Sequence, residues 1–145
     1  MIKATDLRIG NLLEVINKNT KISNIVEITA STILDISANG ENSSFIYKPI
    51  PITEKILKKL AYEDWGVVKV NEFESYKRFV FYNICNGTSN HEVHKITSTY
   101  GNTNEIKYVT SIDKDERQYN RRMEFVHDLQ NACYKEIGFE LTFIK

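Results

Sequence analysis

Two prolines, two cysteines and a single tryptophan in 145 residues are scarcities that each remove a class of answer. Cys85 and Cys133 could close at most one bridge and belong to no C-x-x-C pair. A disulfide framework is thereby excluded, and two reduced thiols in a cytoplasmic protein are expected. The six glycines are scattered and never fall as G-x-G-x-x-G or a Walker A loop, so no phosphate-cradling loop is present. No G-x-S-x-G elbow offers an activated serine. Neither charge is in excess, because 19 basic residues cancel 19 acidic ones. A nucleic-acid binder would then depend on a local patch. No apolar run approaches the roughly 20 residues that span a bilayer, and the N-terminal MIKATDLRIG is too polar for a signal peptide. Neither a membrane nor a cofactor is expected as a partner.

What is present is core material. The chain is 41% hydrophobic, with eight tyrosines and seven phenylalanines, enough for one compact core or two small subdomains. Residues 7 to 50 read as short β-branched strands divided by turns: NLLEVI, KISNIVEIT, STILDIS and FIYKPI. That density predicts a small SH3-like β-barrel over residues 1–50. Pro49 and Pro51 then punctuate the chain. Thr53 is a helix N-cap with Ile52 and Leu57 as a hydrophobic staple, and Ile56, Leu57, Leu60 and Ala61 form the apolar face. From Trp65 to Ile112 strands return (VVKV, FVFYNI, HKITSTY, EIKYVTSI). Met123, Val126, Leu129, Cys133 and Ile137 trace a long C-terminal helix ended by Gly138, starting at Asp113 or at Asn120. FELTFIK reads as a closing strand. The expectation is an α+β chain, residues 1–50 as a barrel-like subdomain and 51–145 as an antiparallel sheet packed by one long helix.

Three groups of side chains invite chemistry. HEVH places His91 and His94 three apart beside Glu92, with Cys85 upstream. The spacing is not the i, i+4 of a zinc-binding helix, so an exposed loop is expected and no metal is assigned. KDERQYNRR gathers Lys114, Arg117, Arg121 and Arg122 around Tyr119, a pattern suited to phosphate contact and base stacking. Interspersed acids make a solvated helix start the plainer reading. Finally, FVHDLQNACY puts His127, Gln130, Asn131 and Tyr134 at i, i+3, i+4 and i+7, one polar flank beside the apolar stripe. Such groups, when buried, need partners, which suggests a polar latch to the Pro49–Thr53 loop ahead of a ligand site.

The set LRIGN (Leu7–Asn11), PIPIT (Pro49–Thr53) and VHDLQN (Val126–Asn131), followed by Gly138, Glu140 and Leu141, resembles a family of small proteins encoded by Bacteroidota genomes and their phages or prophages. Ile52 stands where that family usually has leucine. The resemblance covers both ends and the middle linker, about half the chain, and leaves Trp65 to Arg122 unmatched. It implies a small cytoplasmic protein of mobile-element association and brings no catalytic residue with it. The function expected is that of a non-enzymatic binding protein contacting a host or defence factor, or itself. The alternative is nucleic-acid binding through Arg117, Tyr119, Arg121 and Arg122. A third reading makes His127 a general base in a cleft beside Tyr134.

Overall fold

The structure, a computed structural model, describes residues 2–83, 89–99, 105–111 and 119–144, with the side chains at 82, 83, 89, 90, 111 and 119–122 outside the description. It is an α+β protein, with two antiparallel sheets and three α-helices among the described residues. The chain divides into two compact units: Met1–Pro51 with Phe125–Asn131, and Ile52–Glu124 with Ala132–Lys145. Relative to the expected division near residue 50, the segment 125–131 groups with the N-terminal unit. Among the described residues no helix is long and apolar enough to cross a membrane.

The first unit holds β1 (Leu12–Asn17), β2 (Ser23–Glu27), α1 (Ala30–Asn39) and β3 (Phe45–Lys48). Its sheet is open and three-stranded, in the order β2-β1-β3; no closed barrel forms among the described residues. The expected strand STILDIS is helix α1. Its isoleucines suit a strand, but Ile33 and Ile36 lie three apart and face the core together. The Thr32 hydroxyl accepts the Thr29 N–H at the helix start (3.2 Å). Tertiary packing decides where β-branched content misleads. Leu13, Ile28 and Ile36 form the core, with Val15, Val26 and Tyr47 against it.

The hydrogen-bond ladder of this sheet can be read residue by residue. Asn17 N–H donates to Ile22 C=O and Ile28 N–H to Asn11 C=O, at 3.0 and 2.9 Å. Residues 11, 13, 15 and 17 therefore bond toward β2. Lys18 N–H donates to Ser44 C=O (3.0 Å), so residues 14, 16 and 18 bond toward β3. By the same alternation, Phe45 and Tyr47 turn their backbone groups away from β1 at one edge, and Ser23, Ile25 and Glu27 do so at the other.

The second unit holds α2 (Glu54–Lys59), β4 (Glu63–Lys69), β5 (Glu74–Asn83), β6 (Ser89–Ser98), β7 (Glu105–Ser111) and β8 (Tyr119–Met123). The strands form one antiparallel sheet in sequence order. Thr53 Oγ1 accepts the Ile56 N–H (3.2 Å), capping α2 as its sequence predicts. The helix is only six residues long, shorter than the three turns expected, because Ala61 turns the chain at φ 68°. Three further expectations are corrected here. HEVH is not a loop but the middle of β6. The segment YNRRM is strand β8, so the last helix, α3 (Val126–Ile137), begins at neither Asp113 nor Asn120. Its start is supplied by Asp128, whose Oδ2 accepts the Phe125 N–H (3.1 Å). Residues 138–144 carry no strand, although Leu141 is buried and Ile144 N–H donates to Lys59 C=O. Gly138 closes α3 at φ 69°, as placed. The helix passes from the first unit to the second between Asn131 and Ala132.

Candidate functional site

Residues that the sequence singles out meet first at the start of β1. In register, the β1–β3 ladder would continue from Glu14 and Lys48 to Leu12 and Ile50. The pairing stops at Lys48, and the first turns of α3 take over. Gln130 Oε1 accepts the Leu12 N–H (2.7 Å), Gln130 Nε2 donates to Gly10 C=O (3.2 Å) and Val126 N–H donates to Ile50 C=O (2.8 Å). Asn131 Oδ1 accepts from Asn11 Nδ2 (2.9 Å) and Arg8 Nε (3.3 Å), while its Nδ2 donates to Asp6 C=O (3.0 Å). The side chains of Gln130 and Asn131 thus engage the Asp6–Leu12 segment, while the Pro49–Thr53 loop is met by backbone at Ile50 and in a bridge between Pro51 and Phe125. Two motifs 120 residues apart, LRIGN and VHDLQN, become one hydrogen-bonded patch.

His127 behaves differently. Its ring stacks on Phe125, and its buried Nδ1 has no hydrogen-bond partner. Burial lowers its pKa from 6.5, against the smaller pull of Asp128 and Asp6, so the imidazole is neutral above that value. Tyr134, the intended neighbour of a catalytic His127, is exposed and falls in the second unit.

Below this patch, the sheet of the first unit opens at β3. Asp35 on α1 accepts hydrogen bonds from Asn39 Nδ2 (2.6 Å), from the Ser43 hydroxyl and from the Tyr47 hydroxyl. These bonds, led by Asn39, hold its carboxyl below the usual 3.8. Burial, then the bond to Asp35, pushes the Tyr47 phenol up to about 12. Helix α1 is thereby tied to β3. Beside this tie lies a cleft of about 210 Å³ lined by Ile2, Ile36, Phe45, Ile46 and Tyr47, with Lys18, Gly40 and Glu41 at its rim. Lys18 Nζ is fixed there by donating to Glu41 C=O (2.6 Å). Phe45 and Ile46 remain 39% and 40% exposed. The volume is below that of sites for drug-sized ligands and cofactors, and suits a single anchored side chain.

In the second unit the two histidines of HEVH cannot share a ligand. Three residues apart on a strand, they point to opposite faces of the sheet. His91 lies between the Tyr62 hydroxyl, 2.7 Å from its Nδ1, and the Glu136 carboxylate at Nε2. With Glu136 ionised, Nε2 carries the proton and Nδ1 accepts from tyrosine. Thr110 Oγ1 donates to the other Glu136 oxygen (3.4 Å). On the opposite face, Glu92 Oε1 accepts from Arg78 Nε (2.5 Å) and from His94 Nε2 (2.6 Å), and Tyr76 stacks on His94. Burial works to raise the Glu92 carboxyl, but the bonds from His94 and Arg78 overcome it and hold it at about 2. The Cys133 thiol, buried and near Glu136, is pushed up to about 12. Among the described residues, no three His, Cys, Asp or Glu side chains converge on a metal position.

For the basic patch, Tyr119, Arg121 and Arg122 lie on β8, with Arg121 paired to Thr110 and Arg122 to Val109 along the backbone. Lys114, Arg117 and Cys85 fall outside the described residues. Sequence reasoning missed Asp35, Phe45, Ile46 and Tyr47 altogether. The available signal was Pro49, since a proline just past a short strand marks a sheet edge. Comparison with family models, with curated proteins and with solved structures gives no match to this chain.

Proposed function

We propose that the chain is a non-enzymatic binding protein of phage or prophage origin, and that it takes up an extended segment of a protein partner along the edge of β3. The observation that carries this reading is an open strand edge lying beside an apolar cleft. The Phe45 C=O and both backbone groups of Tyr47 turn outward and can pair with an added strand, the Phe45 N–H being held by Ser43 Oγ. A side chain of that strand, on the face of Phe45 and Tyr47, would reach the cleft between them and Ile36. Main-chain pairing supplies affinity and the cleft supplies selection. The tie from Asp35 to Tyr47 and Ser43 holds the strand in place before binding, which lowers the ordering cost of recognition.

A binding role also fits the state of the groups that might have done chemistry. The Cys133 thiol has a pKa near 12 and is no nucleophile at neutral pH. Glu92, His91 and His94 are each engaged by partners, and burial lowers the pKa of His127. The mobile-element association rests on the LRIGN, PIPIT and VHDLQN resemblance.

The test is affinity capture from a host carrying the native element, with the wild-type chain and with Phe45→Asp/Ile46→Asp as paired baits. Both residues are surface-exposed, so the double variant should melt within about 1 kcal/mol of wild type. The reading expects a protein retained by wild type and lost by the variant. Equal retention by both baits sinks it.

A further inference from the structure

The opposite edge of the same sheet has a different character. At β3, Ser43 Oγ takes the Phe45 N–H (3.1 Å) and Pro49 follows at once. At β4, the edge of the second unit, a bulge between Asp64 and Val67 breaks the ladder, and Asp64 Oδ1 takes the Gly66 N–H (2.9 Å). The bulge restricts strand addition at β4, and at β3 the held Phe45 N–H and the following proline shorten the stretch open to it. Strand β2 carries no such device. Ser23–Glu27 has no proline, no lysine and no bulge, and its register with β1 runs unbroken over five residues.

Its outward groups are also self-complementary. Ser23, Ile25 and Glu27 present their N–H and C=O away from β1 and share one face, opposite to Val26, which packs in the core. An antiparallel copy centred on Ile25 sets Ile25 against Ile25, 46% exposed in each chain, and Ser23 against Glu27. Every outward donor then meets an outward acceptor. No like charges stand directly opposite: each Glu27 faces Ser23, whose hydroxyl donates to Glu14 Oε1 of its own sheet (2.6 Å). A register moved by one residue along the strand would set outward groups against side-turned ones and lose this match.

We infer that β2 is a homodimer edge, pairing antiparallel with β2 of a second copy about a twofold axis at Ile25, so that the two three-stranded sheets join as one of six strands. Such a contact is isologous and closes on itself, leaving no edge for further growth at β2. It leaves both β3 edges open, one per chain, and does not depend on what binds there.

Sedimentation equilibrium of the full chain across a dilution series tests this, with Ile25→Lys as the comparison. Wild type is expected to show a species of twice the 16.8 kDa chain mass, and Ile25→Lys to weaken association by about tenfold or more, with equal melting temperatures at dilutions where both chains are monomeric. Register is read separately. A mixture of Ser23→Cys and Glu27→Cys chains is expected to cross-link on mild oxidation, faster than either variant alone. A chain monomeric at every concentration, a dimer indifferent to Ile25→Lys, or a mixture that cross-links no faster than its components overturns the inference.

Discussion

In the first unit the buried amide of Gln130 meets a backbone N–H and a backbone C=O, those of Leu12 and Gly10. In the second, the buried imidazoles of His91 and His94 meet the carboxylates of Glu136 and Glu92. Both arrangements satisfy groups that could not be left unpaired in a core. They differ in what they ask of pH and in what they leave open. Amides carry no charge, so Gln130 ties α3 to the start of β1 through backbone groups that do not titrate, and the edges of the small sheet remain exposed. The second unit spends its polar residues in ion-assisted pairs on both faces of a longer sheet, one edge of which is bulged. The contrast suggests a division of labour: recognition at the small sheet, solidity in the large one.

The largest effect is expected from breaking the ionic side of the contrast. Glu92→Ala strands Arg78 and His94, both mostly buried, and should cost about 3–5 kcal/mol in denaturant unfolding. The sign with pH follows from the low carboxyl. Its stabilisation is complete above the ordinary 4.5 and is lost as pH falls through about 2. Wild type should therefore weaken across that window, and the variant should be flatter there. A loss below 1 kcal/mol would mean that the pair is held by geometry and not by charge.

The neutral side should break more gently. Gln130 is fully buried (0% exposed), and Gln130→Leu orphans the Leu12 N–H and the Gly10 C=O for about 2–3 kcal/mol. The loss should be equal at pH 5 and pH 8, since no charge is involved, and native-state hydrogen exchange at the Leu12 amide should accelerate. A pH-dependent loss would contradict the amide account. His127 gives the smallest effect and sharpens the comparison, as the titratable exception within the neutral patch. Its pKa lies below 6.5 when folded, so the unfolded chain binds its proton first and stability drops as pH falls below 6.5. His127→Leu should be near neutral at pH 8 and should remove part of that acid loss. An unchanged acid profile would relieve His127 of the role.

How much of this was legible in the sequence depended on distance along the chain. The Thr53 cap, the Ile52–Leu57 staple and the Gly138 stop are local signals, and they place the start of α2 and the end of α3 correctly. The polar flank of α3 was legible as a flank. Its destination was not, because Gln130 finds its partner 118 residues away. HEVH was misread for the same reason: His91 is buried against Glu136, 45 residues on, and no spacing rule announces that. STILDIS and YNRRM were misread for the opposite one, because local β-branched content and local charge pointed against the helix and the strand that packing selected. The β3 edge was hidden by brevity, four residues whose exposure is a property of the sheet order.

The central proposal is that the chain takes up its partner protein at β3 and not at the surface of the second unit. A photo-cross-linking residue placed at Ile46, and separately at the more exposed Ile144 of the second unit (64%), tests this in living host cells. The account predicts one discrete protein adduct from position 46, absent from position 144 and suppressed by Phe45→Asp. The same adducts from both positions, or an adduct from 144 alone, would contradict it.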